Sequence, residues 1–168
     1  MTYSIEDRSS LDELYKKCKE DLLCTNNLIL FKYPNTLCGV ALDNEKWKSE
    51  VNNIKKLNKS LLRSLRNNVT NYVIYTKKDG DGNDWLMRYV GQTKIELARS
   101  RLTNHLISKD KLTGAKLMLV RKAVNEGLQV GLKLIRVEPT ALRHYVEETI
   151  LKEVKDGRLD WNEKPKTS

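Results

Sequence analysis

Apolar side chains recur at helical spacing in the first part of the chain and alternate in the second part. The first helical spacing covers residues 11–23 and follows a capping box made by Ser10 and Glu13. A longer amphipathic segment, residues 43–67, carries one apolar stripe among many lysines and arginines. Between them, the short apolar run 28–33 is typical of a strand. The first 70 residues are therefore predicted to be mostly helical.

The pattern changes from helical to extended after residue 70. Residues 71–76 are β-branched and aromatic, a turn-rich cluster covers 79–84, and residues 85–91 are again extended, which predicts a β-hairpin. The rest of the chain predicts, in order, a helix at 95–107, a helix at 114–125, a strand at 130–137 and a helix at 141–155.

These elements predict an α/β (α+β) fold with a small three-stranded sheet, mixed or antiparallel, flanked by helices. The sheet belongs to residues 71–168, and residues 1–70 form a mainly helical N-terminal extension with a possible role in DNA recognition or dimerisation. A hydrophobic content of 39% is enough to bury a core.

Composition narrows the class of partner. The formal net charge is +9 and the sequence pI is about 9.4, which favours polyanions, with nucleic acid first among them. No run approaches the ~18 apolar residues of a membrane span, and the polar, acidic start does not resemble a signal peptide. The three cysteines lack CxxC spacing, which disfavours a disulfide framework and a zinc site. We expect a cytoplasmic protein without a membrane partner.

Several motifs follow one another in a recognisable order. They are Val73-Ile74-Tyr75, Tyr89-Val90-Gly91 continuing into Gln92-Thr93, a helix with Arg101 four residues before His105, a last helix with Glu147, and a closing Trp161-Asn162. This order resembles the GIY-YIG nuclease superfamily, and most of all its small type II restriction endonucleases and phage endonucleases. The chain departs from the family pattern in having Val73 where the first glycine is usual, and in a longer connecting turn.

The resemblance implies a divalent-metal-dependent DNA endonuclease that hydrolyses phosphodiester bonds. Glu147 would be the ligand of Mg²⁺, or of another divalent cation such as Mn²⁺, and Arg101 would bind the scissile phosphate. In the family the tyrosine of the first motif is thought to act as the general base, which implies this role for Tyr75. Tyr89 would orient water or phosphate, and His105 would hydrogen-bond Tyr75 or the phosphate. Asn162 would brace the site.

Two of these assignments have competitors close by. Arg99 also lies at a distance from Gly91 that suits some family members, but only Arg101 shares a helical face with His105. Glu148 competes with Glu147, which is favoured because Ile150, Leu151 and Val154 follow it in the family's apolar pattern.

The resemblance also implies double-stranded DNA as the partner, in the cytoplasm of a bacterial or phage-infected cell, and a double-strand break at a palindromic site would suggest a homodimer. The candidate DNA-binding residues are Lys55, Lys56, Lys59, Lys94, Lys109 and Lys111.

Other functions remain open at this point. One is a phage or mobile-element endonuclease that degrades or nicks DNA with low specificity. Another is a non-catalytic DNA-binding module of the same fold, and a third is a structural protein that uses its apolar stripe between Trp47 and Leu65 as an interface.

Overall fold

A computed structural model describes residues 1–4, 11–39, 44–78, 80, 82, 84–109, 116–154 and 158–162. The strands in these ranges are β1 (Thr2–Ser4), β2 (Ile29–Phe31), β3 (Asn71–Lys78), β4 (Leu86–Gln92) and β5 (Leu128–Glu138). The helices are α1 (Leu11–Leu23), α2 (Asn44–Leu57), α3 (Lys59–Leu65), α4 (Ala98–Leu106), α5 (Leu117–Asn125) and α6 (Arg143–Glu153). None of these helices has the length and apolar character that crossing a membrane requires.

The sheet has the predicted antiparallel centre and two additional strands. β3 pairs antiparallel with β4 on one side and with β5 on the other. The far side of β5 pairs antiparallel with β2 and, further along, parallel with β1. The α+β class is confirmed, but the sheet has five strands rather than three because residues before position 70 contribute β1 and β2.

Helices cover both faces of the sheet. One core contains apolar side chains from helices α2 to α5, and the other contains side chains from α1 and α6. Residues 1–70 contribute to both cores, with Trp47 and Ile54 in the first and Leu14 and Leu22 in the second. The N-terminal extension is thus part of the framework that supports the sheet.

The amphipathic segment 43–67 is not one continuous helix. It divides at Asn58 into α2 and α3. The buried Asn58 amide donates to the carbonyl oxygens of Ile54 and Lys32 and accepts the backbone N–H of Lys32. The Asn58 side chain thus pairs with both backbone groups of Lys32, as a neighbouring strand would. The break between α2 and α3 therefore depends on a tertiary contact, which the spacing of apolar residues does not reveal.

Candidate functional site

The two tyrosines of β3 face opposite sides of the sheet. Successive strand residues alternate in direction, so Tyr72 packs in the core beneath α4 and α5, whereas Tyr75 packs beneath α1 and α6. The Tyr75 hydroxyl donates to the carbonyl oxygen of Leu22, and burial raises the pKa of this phenol. The predicted assignment of Tyr75 as general base is therefore corrected, because Tyr75 lies away from the other candidate residues.

Tyr72 lies where Tyr75 was expected. Its ring centroid is 6.1 Å from that of Tyr89 and 5.8 Å from that of His105, and the Tyr89 and His105 centroids are 5.1 Å apart. In the hairpin register Tyr72 is opposite Gly91, and Ile74 is opposite Tyr89, which places Tyr72 and Tyr89 on one face. The structure thus brings together a tyrosine pair and a histidine.

Gly91 makes this arrangement possible. A Cβ atom at position 91 would lie 2.5 Å from both Oη and Cζ of Tyr72, closer than real Cβ contacts allow. The glycine of the Tyr89-Val90-Gly91 motif thus provides the space that the Tyr72 ring occupies.

His105 has a fixed hydrogen-bonding role. The backbone N–H of Lys116, which can only donate, lies 3.0 Å from Nδ1, so Nδ1 is an acceptor. The proton of the neutral ring is consequently on Nε2, which donates to the Tyr72 hydroxyl oxygen at 2.9 Å. Burial, together with the positive charges of Arg101 and Lys116, lowers the pKa of His105 to about 3. The ring is therefore neutral near neutral pH and cannot take the Tyr72 proton at either nitrogen.

Arg101 supplies the positive charge next to the tyrosine pair. Its side chain is exposed, and its guanidinium lies close to the hydroxyls of Tyr72 and Tyr89. Burial raises the pKa of both phenols, and the charge of Arg101 partly opposes that rise. Arg99, the competing arginine, is also exposed, but it lines a different surface with Lys55 and Arg66.

Glu147 approaches the same site from α6. Its half-buried carboxylate lies close to the backbone N–H of Gln92 at the end of β4. Burial raises the pKa of this carboxyl, whereas Arg101 and the Gln92 N–H lower it. Glu148 is exposed, and its negative charge raises the pKa of Glu147. Because the charge of Arg101 lowers the pKa of Glu147, Glu147 is the acid that lies near Arg101.

Asn162 stabilises the strand that carries Tyr89. Its Oδ1 accepts the backbone N–H of Val90, and its Nδ2 donates to the Val90 carbonyl oxygen, both at 2.8 Å. Val90 lies between Tyr89 and Gly91, so Asn162 holds the backbone of the motif from the outer edge of the sheet.

The candidate DNA-binding lysines do not form one group. Lys55, Lys56 and Lys59 are exposed on α2 and at the start of α3, and Lys94 is exposed just after β4. Lys109 is half-buried, and Lys111 lies outside the described residues.

Glu147 fits a divalent cation of the Mg²⁺ type. Within the described ranges, no group of three or more histidine, cysteine or acidic side chains is placed to hold a metal ion. Mg²⁺, however, typically takes only one or two carboxylates and keeps several waters. A half-buried oxygen donor that is partly open to solvent matches that preference.

Sequence reasoning missed three residues of this site: Tyr72, Gly91 as its steric complement, and Lys116. Lys116 contributes its backbone N–H to His105, and its Nζ lies 5.8 Å from the centroid of the Tyr89 ring. The alternation of β3 contained the signal for Tyr72, since a tyrosine opposite Gly91 shares a face with Tyr89. No comparable signal marks Lys116, whose role depends on its backbone.

No protein-family model matches the chain, and no curated protein or solved structure is significantly similar to it.

Proposed function

We propose that the protein is a divalent-metal-dependent endonuclease that hydrolyses phosphodiester bonds of double-stranded DNA. The observation that supports this function is the convergence of Tyr72, Tyr89, Arg101, His105 and Glu147, which come from two strands and two helices. The group combines what the reaction requires: a proton acceptor, a cation for the phosphate and an oxygen ligand for a metal ion. Each residue alone would be ordinary, but together they match one reaction.

Arg101 binds the scissile phosphate in this proposal. Its guanidinium is permanently charged, can contact two phosphoryl oxygens, and is exposed to an incoming strand. Because it also lies close to both tyrosine hydroxyls, it holds the phosphate beside them. Arg101 thereby neutralises charge that develops on the phosphoryl oxygens.

The tyrosine pair accepts the proton of the attacking water. Tyr89 is 8% exposed, whereas Tyr72 is fully buried, so Tyr89 is the member nearer to solvent. Tyr72 lies next to Tyr89, with ring centroids 6.1 Å apart, and the Tyr72 hydroxyl oxygen accepts a hydrogen bond from Nε2–H of His105. His105 is thus a positioning residue here, since its ring nitrogens are both committed.

Glu147 would hold Mg²⁺ or Mn²⁺. The bound ion would supply further neutralisation of the phosphoryl oxygens. The positive charge of Arg101 and the nearby Gln92 N–H both lower the pKa of this carboxyl and so favour its charged form.

The biological setting follows from the same proposal. A site-specific, restriction-like cut in both strands would need two catalytic centres, which favours a homodimer on palindromic DNA in the cytoplasm of a bacterial or phage-infected cell. A low-specificity phage or mobile-element nuclease would have the same chemistry and produce a different fragment pattern.

Incubation of the purified protein with supercoiled plasmid and mixed genomic DNA, in Mg²⁺ or in EDTA, tests the function. We expect Mg²⁺-dependent cleavage that is strongly reduced in Arg101→Gln, abolished in Glu147→Ala and retained in Tyr75→Phe, the matched control from the opposite face of the sheet. Discrete fragments would establish site specificity, whereas a continuous smear would indicate the low-specificity alternative. Absence of cleavage on methylated and unmethylated DNA alike, with Mg²⁺ or Mn²⁺, would refute the proposal.

A further inference from the structure

A second charged surface lies on the outer side of α4. We call it the basic cleft and define it by six exposed cations: Lys55, Lys56, Lys59, Arg63, Arg66 and Arg99. They line two open depressions of about 360 and 340 Å³, which share Lys55 and Arg99. The cleft is built by α2, α3 and α4 together.

The charge of this surface is not balanced within the protein. Among the described residues, none of the six cations forms an ion pair, and Glu96 is the acidic residue in the lining. The first half of α2 differs, since Lys46 pairs with Glu50 and Lys48 with Glu45. One helix therefore carries neutralised lysines in its first half and unneutralised lysines in its second half, and clustered like charges of this kind attract a polyanion.

The basic cleft and the tyrosine site lie on two sides of the same helix. Arg99 and Arg101 are two residues apart on α4, which corresponds to about 200° of rotation. Arg101 faces the tyrosines, and Arg99 faces the cleft. A helix with its side chains is about 10–12 Å wide. Phosphates along one DNA strand are about 3.4 Å apart in axial rise, so roughly three nucleotides cover the distance from one side of α4 to the other.

We propose that the basic cleft binds the sugar–phosphate backbone of the duplex whose scissile bond lies at Arg101, a few nucleotides away. The inference rests on the proposed function and assigns different roles to two arginines of α4. Arg99 contributes to DNA affinity, whereas Arg101 contributes to the rate of cleavage. Lys55 and Lys59 contribute to the same interaction, which is independent of base sequence because phosphates carry no base information.

Fluorescence anisotropy of a labelled 30-base-pair duplex, titrated with the full-length protein in EDTA over a series of KCl concentrations, tests the cleft. We expect Arg99→Gln and the double variant Lys55→Gln/Lys59→Gln to bind more weakly. The slope of log affinity against log salt is negative. For every phosphate that a variant no longer neutralises, the magnitude of this slope should decrease by about 0.9. Lys46→Gln/Lys48→Gln is the matched control, because it removes two paired lysines from the same α2 helix and should leave the slope unchanged.

Cleavage kinetics in Mg²⁺ separate the two arginines. Arg99→Gln should mainly raise the DNA concentration required for half-maximal rate, and Arg101→Gln should mainly lower the maximal rate. Unchanged salt slopes in both cleft variants would overturn the inference, as would an equal decrease of the slope in the Lys46/Lys48 control.

The inference and the proposed function can fail separately. A reduced salt slope in the cleft variants of a protein that cleaves no DNA would support the cleft and refute the nuclease. Cleavage of DNA by the wild type, together with unchanged salt slopes in the cleft variants, would support the nuclease and refute the cleft. Tighter binding to an RNA duplex of the same sequence than to the DNA duplex would overturn DNA as the partner.

Discussion

The two faces of the central sheet each bury a tyrosine of β3, but the surroundings of the two hydroxyls differ. Tyr75 donates to a backbone carbonyl and packs among apolar side chains of α1 and α6. The Tyr72 hydroxyl oxygen accepts a hydrogen bond from Nε2–H of His105, and Tyr72 lies beside Arg101 and Tyr89. Burial raises the pKa of both phenols. Each phenol also has an arginine whose charge lowers its pKa, Arg158 for Tyr75 and Arg101 for Tyr72, so what distinguishes them is the His105 donor and the neighbouring Tyr89.

Removing one hydroxyl from each face tests this difference most directly. Tyr72→Phe should reduce the cleavage rate by about 10²–10⁴-fold, the usual contribution of a positioned acid or base. Tyr75→Phe should change the rate by less than about twofold, since its hydroxyl only satisfies the Leu22 carbonyl oxygen. Single-turnover cleavage of plasmid DNA measures both rates, and equal effects of the two variants would contradict the comparison.

The pH dependence of the rate examines the same pair of tyrosines. A phenol that accepts a proton must first be deprotonated, and burial raises the pKa of Tyr72 and Tyr89. The cleavage rate should therefore rise about tenfold per pH unit between roughly pH 7 and 9. Because Arg101 lowers the pKa of both phenols, residual activity of Arg101→Gln should rise at higher pH than that of the wild type. A flat profile would exclude the tyrosine pair as the base.

His105 should make the fold on the Tyr72 side sensitive to acid. Its pKa of about 3 in the folded protein lies below the value of about 6.5 in an unfolded chain, so the unfolded state binds the proton first as pH falls. The free energy of unfolding should decrease by about 1.4 kcal/mol per pH unit from this residue between pH 6.5 and 3. Urea denaturation of wild type and His105→Gln from pH 7 to 4.5 measures it, and parallel pH profiles would contradict the assignment.

Gly91→Ala should affect the Tyr72 face by crowding. The added Cβ would lie 2.5 Å from the Tyr72 ring, so we expect the free energy of unfolding to fall by about 1–3 kcal/mol. In a Tyr72→Ala background the same substitution should cost much less, since the obstructing ring is gone. Thermal or urea denaturation of the wild type, the two single variants and the double variant measures the four free energies of unfolding. An equal loss of stability from Gly91→Ala in both backgrounds would show that the Tyr72 ring is not the obstacle.

Local periodicity was enough to predict the strands and helices that surround the site. The boundaries of α1 agree with the prediction, and those of the β3–β4 hairpin agree to within two residues, because their signals lie within short segments. The prediction of Tyr75 was wrong because two tyrosines in one strand are equivalent until register fixes which one is opposite Gly91. The addition of β1 and β2 to the sheet and the break at Asn58 depend on contacts between distant segments. Short-range patterns therefore locate the elements, whereas strand register decides which tyrosine enters the site.

Two asparagine side chains act as substitutes for missing strands. Asn162 pairs with both backbone groups of Val90 on the outer strand β4, and Asn58 does the same for Lys32 after β2. Unpaired groups at a sheet margin are the template on which another chain adds and aggregates. The backbone groups of Val90 and Lys32 are already paired with asparagine side chains. A second molecule that joined its sheet to β4 at Val90 would first have to displace Asn162. Addition of a strand at this point of β4 is thereby opposed.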